Sequence, residues 1–154
     1  MKIKAKSKLE EHILSHLTPE GGFLDLEDKN VTPEYLRLLC QAGETLQKVK
    51  QLDLSNNGLG DAEIELLSKS RCLPKLEKLF LNHNKISDSG AKILAESKLV
   101  QNISCLMLEA NQIGVNGAQS LATSLNLKNL ETLFLDSNPI GPEGVEALAR
   151  STCL

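Results

Sequence analysis

No stretch of this chain is long and apolar enough to span a bilayer. Its lysine-rich opening does not read as a secretory leader, because Glu10, Glu11, His12 and His16 interrupt any apolar run. Charge of one sign is missing too. Seventeen Lys and Arg stand against 20 Asp and Glu, a net of -3, which argues against nucleic acid and against a membrane surface as partner. Neither GxxxxGK[ST] nor GxGxxG occurs, so there is no sequence for a phosphate cradle. No GxSxG elbow precedes a helix. The four cysteines, Cys40, Cys72, Cys105 and Cys153, include no CxxC pair, and none of the three histidines lies near a cysteine in sequence. No zinc site, no other metal and no cofactor is therefore expected, and the thiols fit a reducing, cytoplasmic compartment in which they fill small sites.

What the chain has is a period. Asn57, Asn84, Asn111 and Asn138 recur every 27 residues, each inside the same frame of aliphatic residues. The first frame is Val49, Leu52, Leu54, Leu59, Ile64 and Leu67, and the second is Leu76, Leu79, Leu81, Ile86, Ala91 and Leu94. The third is Ile103, Leu106, Leu108, Ile113, Ala118 and Leu121, and the fourth is Leu130, Leu133, Leu135, Ile140, Val145 and Leu148. Periods of this size mark solenoids, whose units bury a core only by stacking.

A degenerate unit spans 23–48, with Leu24, Leu26 and Val31 matching Leu52, Leu54 and Leu59, and Lys29 at the asparagine position. Residues 1–22 then form an N-terminal capping helix and turn. Leu9, Ile13 and Leu17 share a helical face over Lys8 to Leu17, and Pro19, Gly21 and Gly22 end it. The repeats proper occupy 23–154, one degenerate unit followed by four full ones.

Within each full unit, alternation such as Leu52-Asp53-Leu54 predicts a short strand, and the recurrent Leu67, Leu94, Leu121 and Leu148 predict a helix. Small residues, Ser68, Ala95, Ala122 and Ala149, let each helix pack close to the strands. Gly90, Gly117 and Gly144 fall at one position near the helix start, where they permit a positive φ or a close backbone approach, and Glu63 replaces them in the first unit. The four asparagines read as structural: each ends a strand, and its amide can pair with backbone groups turned inward.

The pattern LxxLxLxxNxIxxxG appears as LEKLFLNHNKISDSG at Leu76 to Gly90, ISCLMLEANQIGVNG at Ile103 to Gly117 and LETLFLDSNPIGPEG at Leu130 to Gly144. VKQLDLSNNGLGDAE, from Val49 to Glu63, departs only at the last glycine. It resembles the leucine-rich repeat family, in the ribonuclease-inhibitor-like subtype. The resemblance implies an α/β solenoid forming a short horseshoe arc, with parallel strands on the concave face, helices on the convex face, and protein recognition as its function.

In such an arc the residues between the buried leucines face the concave side in three columns. Phe23, Gln51, Lys78, Cys105 and Thr132 form the first; Asp25, Asp53, Phe80, Met107 and Phe134 the second; Glu27, Ser55, Asn82, Glu109 and Asp136 the third. Phe80, Met107 and Phe134 give an apolar stripe of residue types enriched at interface centres, including two of only three phenylalanines in the chain. Glu109 and Asp136 flank it, Asp25, Asp53 and Glu27 extend the acidity toward the N-terminus, and Lys78 adds a cation. A protein partner with an apolar anchor and basic surroundings is expected there.

Catalysis is not expected. His83 beside Asn82 and Glu109, and Cys105 beside Lys78 with a thiol pKa open to lowering, are scattered groups rather than a convergent set. Two alternatives stand beside partner binding: a structural or regulatory fragment of a longer repeat protein, and a bacterial effector of this fold delivered into a host cell. The fourth unit is followed by no closing helix, so self-association or continuation at the C-terminal edge is also expected.

Overall fold

The computed structural model describes residues 8–42 and 45–154. Helix α1 (Lys8–Ser15) is followed by five strand–helix units: β1 (Phe23–Asp25) and α2 (Pro33–Gln41), β2 (Gln51–Asp53) and α3 (Asp61–Ser68), β3 (Lys78–Phe80) and α4 (Asp88–Glu96), β4 (Cys105–Met107) and α5 (Val115–Ala122), and β5 (Thr132–Phe134) and α6 (Gly141–Ala149). The strands form one parallel sheet in sequence order. Each helix packs on the next, so the chain is an α/β solenoid arc with strands lining one side and helices the other.

The strands are only three residues long because the leucine frame alternates just once before the chain turns. Leu24, Leu52, Leu79 and Leu106 are fully buried, as are Leu26, Leu54, Leu81 and Leu108 one step later. From the helical side Ile64, Leu67, Ala91, Leu94, Ala118 and Leu121 close on them with no exposed surface. This continuous apolar strip is the main source of stability, since burying one leucine contributes roughly 2 kcal/mol.

At the N-terminal end α1 stops at Ser15, two residues before the end of the helical pattern. The reason is pairing: Asp25 N–H donates to His16 O at 3.0 Å and Thr18 N–H to Phe23 O at 2.9 Å, so residues 16–18 lie antiparallel on the outer edge of β1. Ile13 is buried in the core and Leu14 and Leu17 are half-buried; the side chain of Leu9 lies outside the described set.

Beyond each strand an asparagine joins two units. Asn111 Nδ2 donates to Leu81 O, Leu108 O and Glu109 O at 3.0, 3.0 and 3.2 Å, and its Oδ1 accepts from Ile86 N–H at 3.0 Å. Asn57, Asn84 and Asn138 repeat this pattern, each donating to the preceding unit's strand exit and to its own. The degenerate unit, with Lys29 at this position, receives the same bonds from the unit after it. Asn57 Oδ1 accepts from Lys29 and Val31 N–H just as Asn84 Oδ1 accepts from Asn57 and Leu59 N–H. The residue before each ladder position adopts a left-handed backbone: Asp28, Asn56, His83, Ala110 and Ser137 have φ between 52° and 58°.

On the helical side the glycines serve close approach, not positive φ. A Cβ on Gly117 would stand 2.7 Å from Asp88 Oδ1, 2.7 Å from Ile113 Cγ2 and 3.1 Å from Asp88 Cα. The space is filled because the Asp88 carboxylate reaches over the start of α5 and accepts from Gly114 and Gly117 N–H at 2.6 and 2.9 Å. Asp61 supports the start of α4 in the same way, through Ser87. One unit before Asp61 the period places Pro33, which carries no carboxylate, so Glu63 is accommodated where later units need glycine. It folds back to accept from Gly60 N–H at 2.9 Å.

Candidate functional site: the concave face

The sheet register builds the three columns residue by residue. Lys78 stands between Gln51 and Cys105, Phe80 between Asp53 and Met107, and Met107 beside Phe134. Neighbouring members of a column are therefore about 4.8 Å apart, the strand spacing. Phe80 and Met107 are half-buried and Phe134 is 40% exposed, so the apolar stripe opens progressively toward the C-terminal end.

The third column arranges the polar rim. Asn82 Oδ1 accepts from Glu109 N–H at 2.9 Å, and its Nδ2 lies 3.8 Å from Met107 Sδ. Asn82 thus ties the stripe to its acidic flank. Glu109 is half-buried and Asp136 exposed. At the N-terminal end the register brings together carboxylates that are far apart in sequence: the ligand atoms of Asp25, Glu27 and Asp53 all lie within 4.8 Å of one another. Each already accepts a hydrogen bond, Asp25 from Glu27 N–H, Asp53 from Ser55 N–H and Glu27 from Asn56 Nδ2. The concave columns already set Asp25 beside Asp53 and Glu27 next to them as the acidic end of the face; the register adds how near their carboxylates come.

The two groups considered for chemistry are not brought together. His83 is exposed and occupies the left-handed turn, with φ 53° and its N–H donating to Glu109 O at 2.8 Å. At Cys105 burial pushes the thiol pKa up, and the opposing pull of Lys78 does not overcome this.

Two stretches of the chain match leucine-rich repeat family profiles. Residues 47–93 match "Leucine Rich repeats (2 copies)" and residues 124–149 match "Leucine Rich repeat". Among solved structures, the tropomodulin C-terminal domain of Caenorhabditis elegans is similar over 94% of this chain and 91% of that one, at 15% identity and a TM-score of 0.68. Leiomodin-1 Actin-Binding Site 2 is similar over 96% of this chain and 91% of that one, at 19% identity and a TM-score of 0.68. No curated protein sequence matches the chain. With its repeat geometry, these matches make it a leucine-rich repeat protein; they do not single out the ribonuclease-inhibitor-like subtype. No helix among the described residues is long and apolar enough to cross a membrane.

Proposed function

We propose that this chain is a protein-recognition module of the ribonuclease-inhibitor-like subtype, without catalytic activity or cofactor, acting in a reducing cytoplasmic compartment. Its partner binds the concave face. Phe80, Met107 and Phe134 are the anchor, Glu109 and Asp136 orient the partner, and Asp53 with Lys78 extends the contact toward the N-terminal end. The observation that carries this reading is the unbroken apolar stripe across β3, β4 and β5 in the middle column, which is acidic at β1 and β2. Half-exposed aromatics flanked by carboxylates suit a partner with an apolar projection set among basic residues.

The test is affinity capture in reducing buffer with the parent chain and with a Phe80→Ala/Phe134→Ala chain side by side. The proposal expects a protein retained by the parent and lost from the double variant. Actin, named for leiomodin-1, is one candidate to include. A partner held equally by both baits would place recognition elsewhere.

A second reading rests on a separate observation. Among the described residues β5 is paired with β4 alone, and Val145 of the last helix and Leu154 are 53% and 40% exposed. This edge supports self-association or continuation into further repeats, and sedimentation across a concentration series would reveal the first as a rising mass.

A further inference from the structure

Alternation along β2 and its exit leaves Leu54 in the core and puts Asp53 and Ser55 together on the concave side. Ladder bonds from Leu26 N–H to Asp53 O and from Asp28 N–H to Ser55 O, at 2.9 and 3.1 Å, set Glu27 beside Ser55 in the third column. The Ser55 side chain therefore stands between Asp53 along the strand and Glu27 across it, and its own N–H donates to Asp53 Oδ1 at 2.8 Å. It points into the acidic cluster, yet Ser55 is only 3% exposed and its Oγ has no hydrogen-bond partner among the described residues. Asn82, its column neighbour on the other side, supplies none. The Asn82 amide is turned away, with Oδ1 accepting from Glu109 N–H and Nδ2 on Met107 Sδ. A buried hydroxyl without a partner is costly, and such an atom calls for a ligand.

We propose that Asp25, Glu27, Asp53 and Ser55 form a calcium-binding site at the N-terminal end of the concave face. The carboxylate ligand atoms lie within 4.8 Å of one another. Oxygens on opposite sides of one ion stand about 4.6–5.2 Å apart for calcium and about 4.0–4.2 Å apart for magnesium, twice the respective bond lengths. The cluster therefore suits the larger ion without contraction. One oxygen of each carboxylate is already held, Asp25 Oδ1 by Glu27 N–H, Asp53 Oδ1 by Ser55 N–H and Glu27 Oε1 by Asn56 Nδ2. The other oxygen of each takes no hydrogen bond among the described residues and is left for the ion. Ser55 Oγ adds a neutral oxygen, and water completes the shell that calcium requires.

Charge points the same way. Among the described residues no ion pair joins any of the three carboxylates to a lysine or arginine. Lys29, two residues after Glu27, donates its Nζ to the main-chain Glu27 O at 2.9 Å instead. Three carboxylates this close repel one another, and a divalent cation between them turns that repulsion into attraction. The scattered cysteines and histidines argue against zinc, which takes nitrogen and sulfur; they say nothing of calcium, which takes oxygen.

The test titrates calcium chloride into the full chain in chelator-treated buffer, read by isothermal calorimetry and by thermal midpoint, with magnesium chloride in parallel. The expected result is one calcium per chain, saturating below about 1 mM, with magnesium bound about tenfold more weakly or worse. The thermal midpoint should climb as calcium is added, because the ion binds only the folded arc. Asp53→Asn should weaken calcium binding by about tenfold or more. Ser55→Ala separates a ligand from a packing role. It removes an unpaired hydroxyl, so its calcium-free midpoint should equal or exceed that of the parent while its calcium affinity falls several-fold. No heat and no midpoint shift at about 5 mM calcium would overturn the proposal. Parent-like affinity in either variant, or magnesium bound as tightly as calcium, would do the same. The titration involves no partner protein, so its failure would leave recognition through the stripe standing.

Discussion

A single asparagine side chain closes each repeat onto the one before it, and the consequence is measurable one residue at a time. Asn111 is buried, at 7% exposure, and removing its amide leaves inward-facing carbonyls and the Ile86 N–H without that partner. Leaving one buried polar group unpaired costs about 1–3 kcal/mol, so Asn111→Ala should lose roughly 3 kcal/mol or more in denaturant unfolding. Asn138→Ala should cost clearly less, because Asn138 is half-exposed and water can replace part of its set. Equal losses at both positions would mean the ladder is not what holds the strand exits.

The only tyrosine offers a second test at this scale. Burial raises Tyr35 to about 12 from its ordinary 10.0. Its neutral form therefore favours the folded state. That contribution is complete below pH 10 and is lost as pH rises from 10 through 12. Titrating tyrosinate absorbance should give a midpoint near 12 in the folded chain and near 10 once unfolded.

At the scale of the element, the helix starts are set by contacts between units. The Asp88 carboxylate occupies the volume above Gly117, so Gly117→Ala forces a side chain into filled space at the start of α5. Overpacking of this kind costs about 1–3 kcal/mol. Gly22→Ala, with nothing within 4 Å of the added Cβ, is the control and should leave the thermal midpoint unchanged.

These positions also show what the sequence could reveal. The leucine frame, the strand–helix alternation and the recurrent asparagines all follow from period alone, as do the members of each concave column. The glycines stood out as a column too, but their choice between positive φ and close approach depended on Asp61 and Asp88, whose carboxylates reach into the next unit. The serines at 97, 124 and 151 recur every 27 residues and were legible in principle. They went unread because hydroxyls at helix ends are common and only the bonds they donate to Ser68 O, Ala95 O and Ala122 O, at the end of the preceding helix, give them a role.

Over the whole molecule, the structural roles and the proposed binding role fall on different surfaces. Leucines, asparagines, glycines and serines hold the units together from within and along the helices. That leaves the strand residues facing the arc free to vary, and their middle column is acidic at β1 and β2 and apolar from β3 to β5. Since Phe80 is only half-buried and Phe134 is 40% exposed, their truncation should cost little folding free energy.

The most direct test of concave recognition is a titration of the captured partner against the parent chain, Phe80→Ala/Phe134→Ala and the helix-face variant Lys92→Ala/Gln119→Ala. Thermal midpoints are recorded for all three. Two anchors at about 2 kcal/mol each imply a rise in Kd of roughly a thousandfold for the phenylalanine double variant, with its midpoint nearly unchanged and the helix-face variant binding like the parent. Full affinity in the phenylalanine variant, or loss confined to the helix-face variant, would contradict recognition through the stripe.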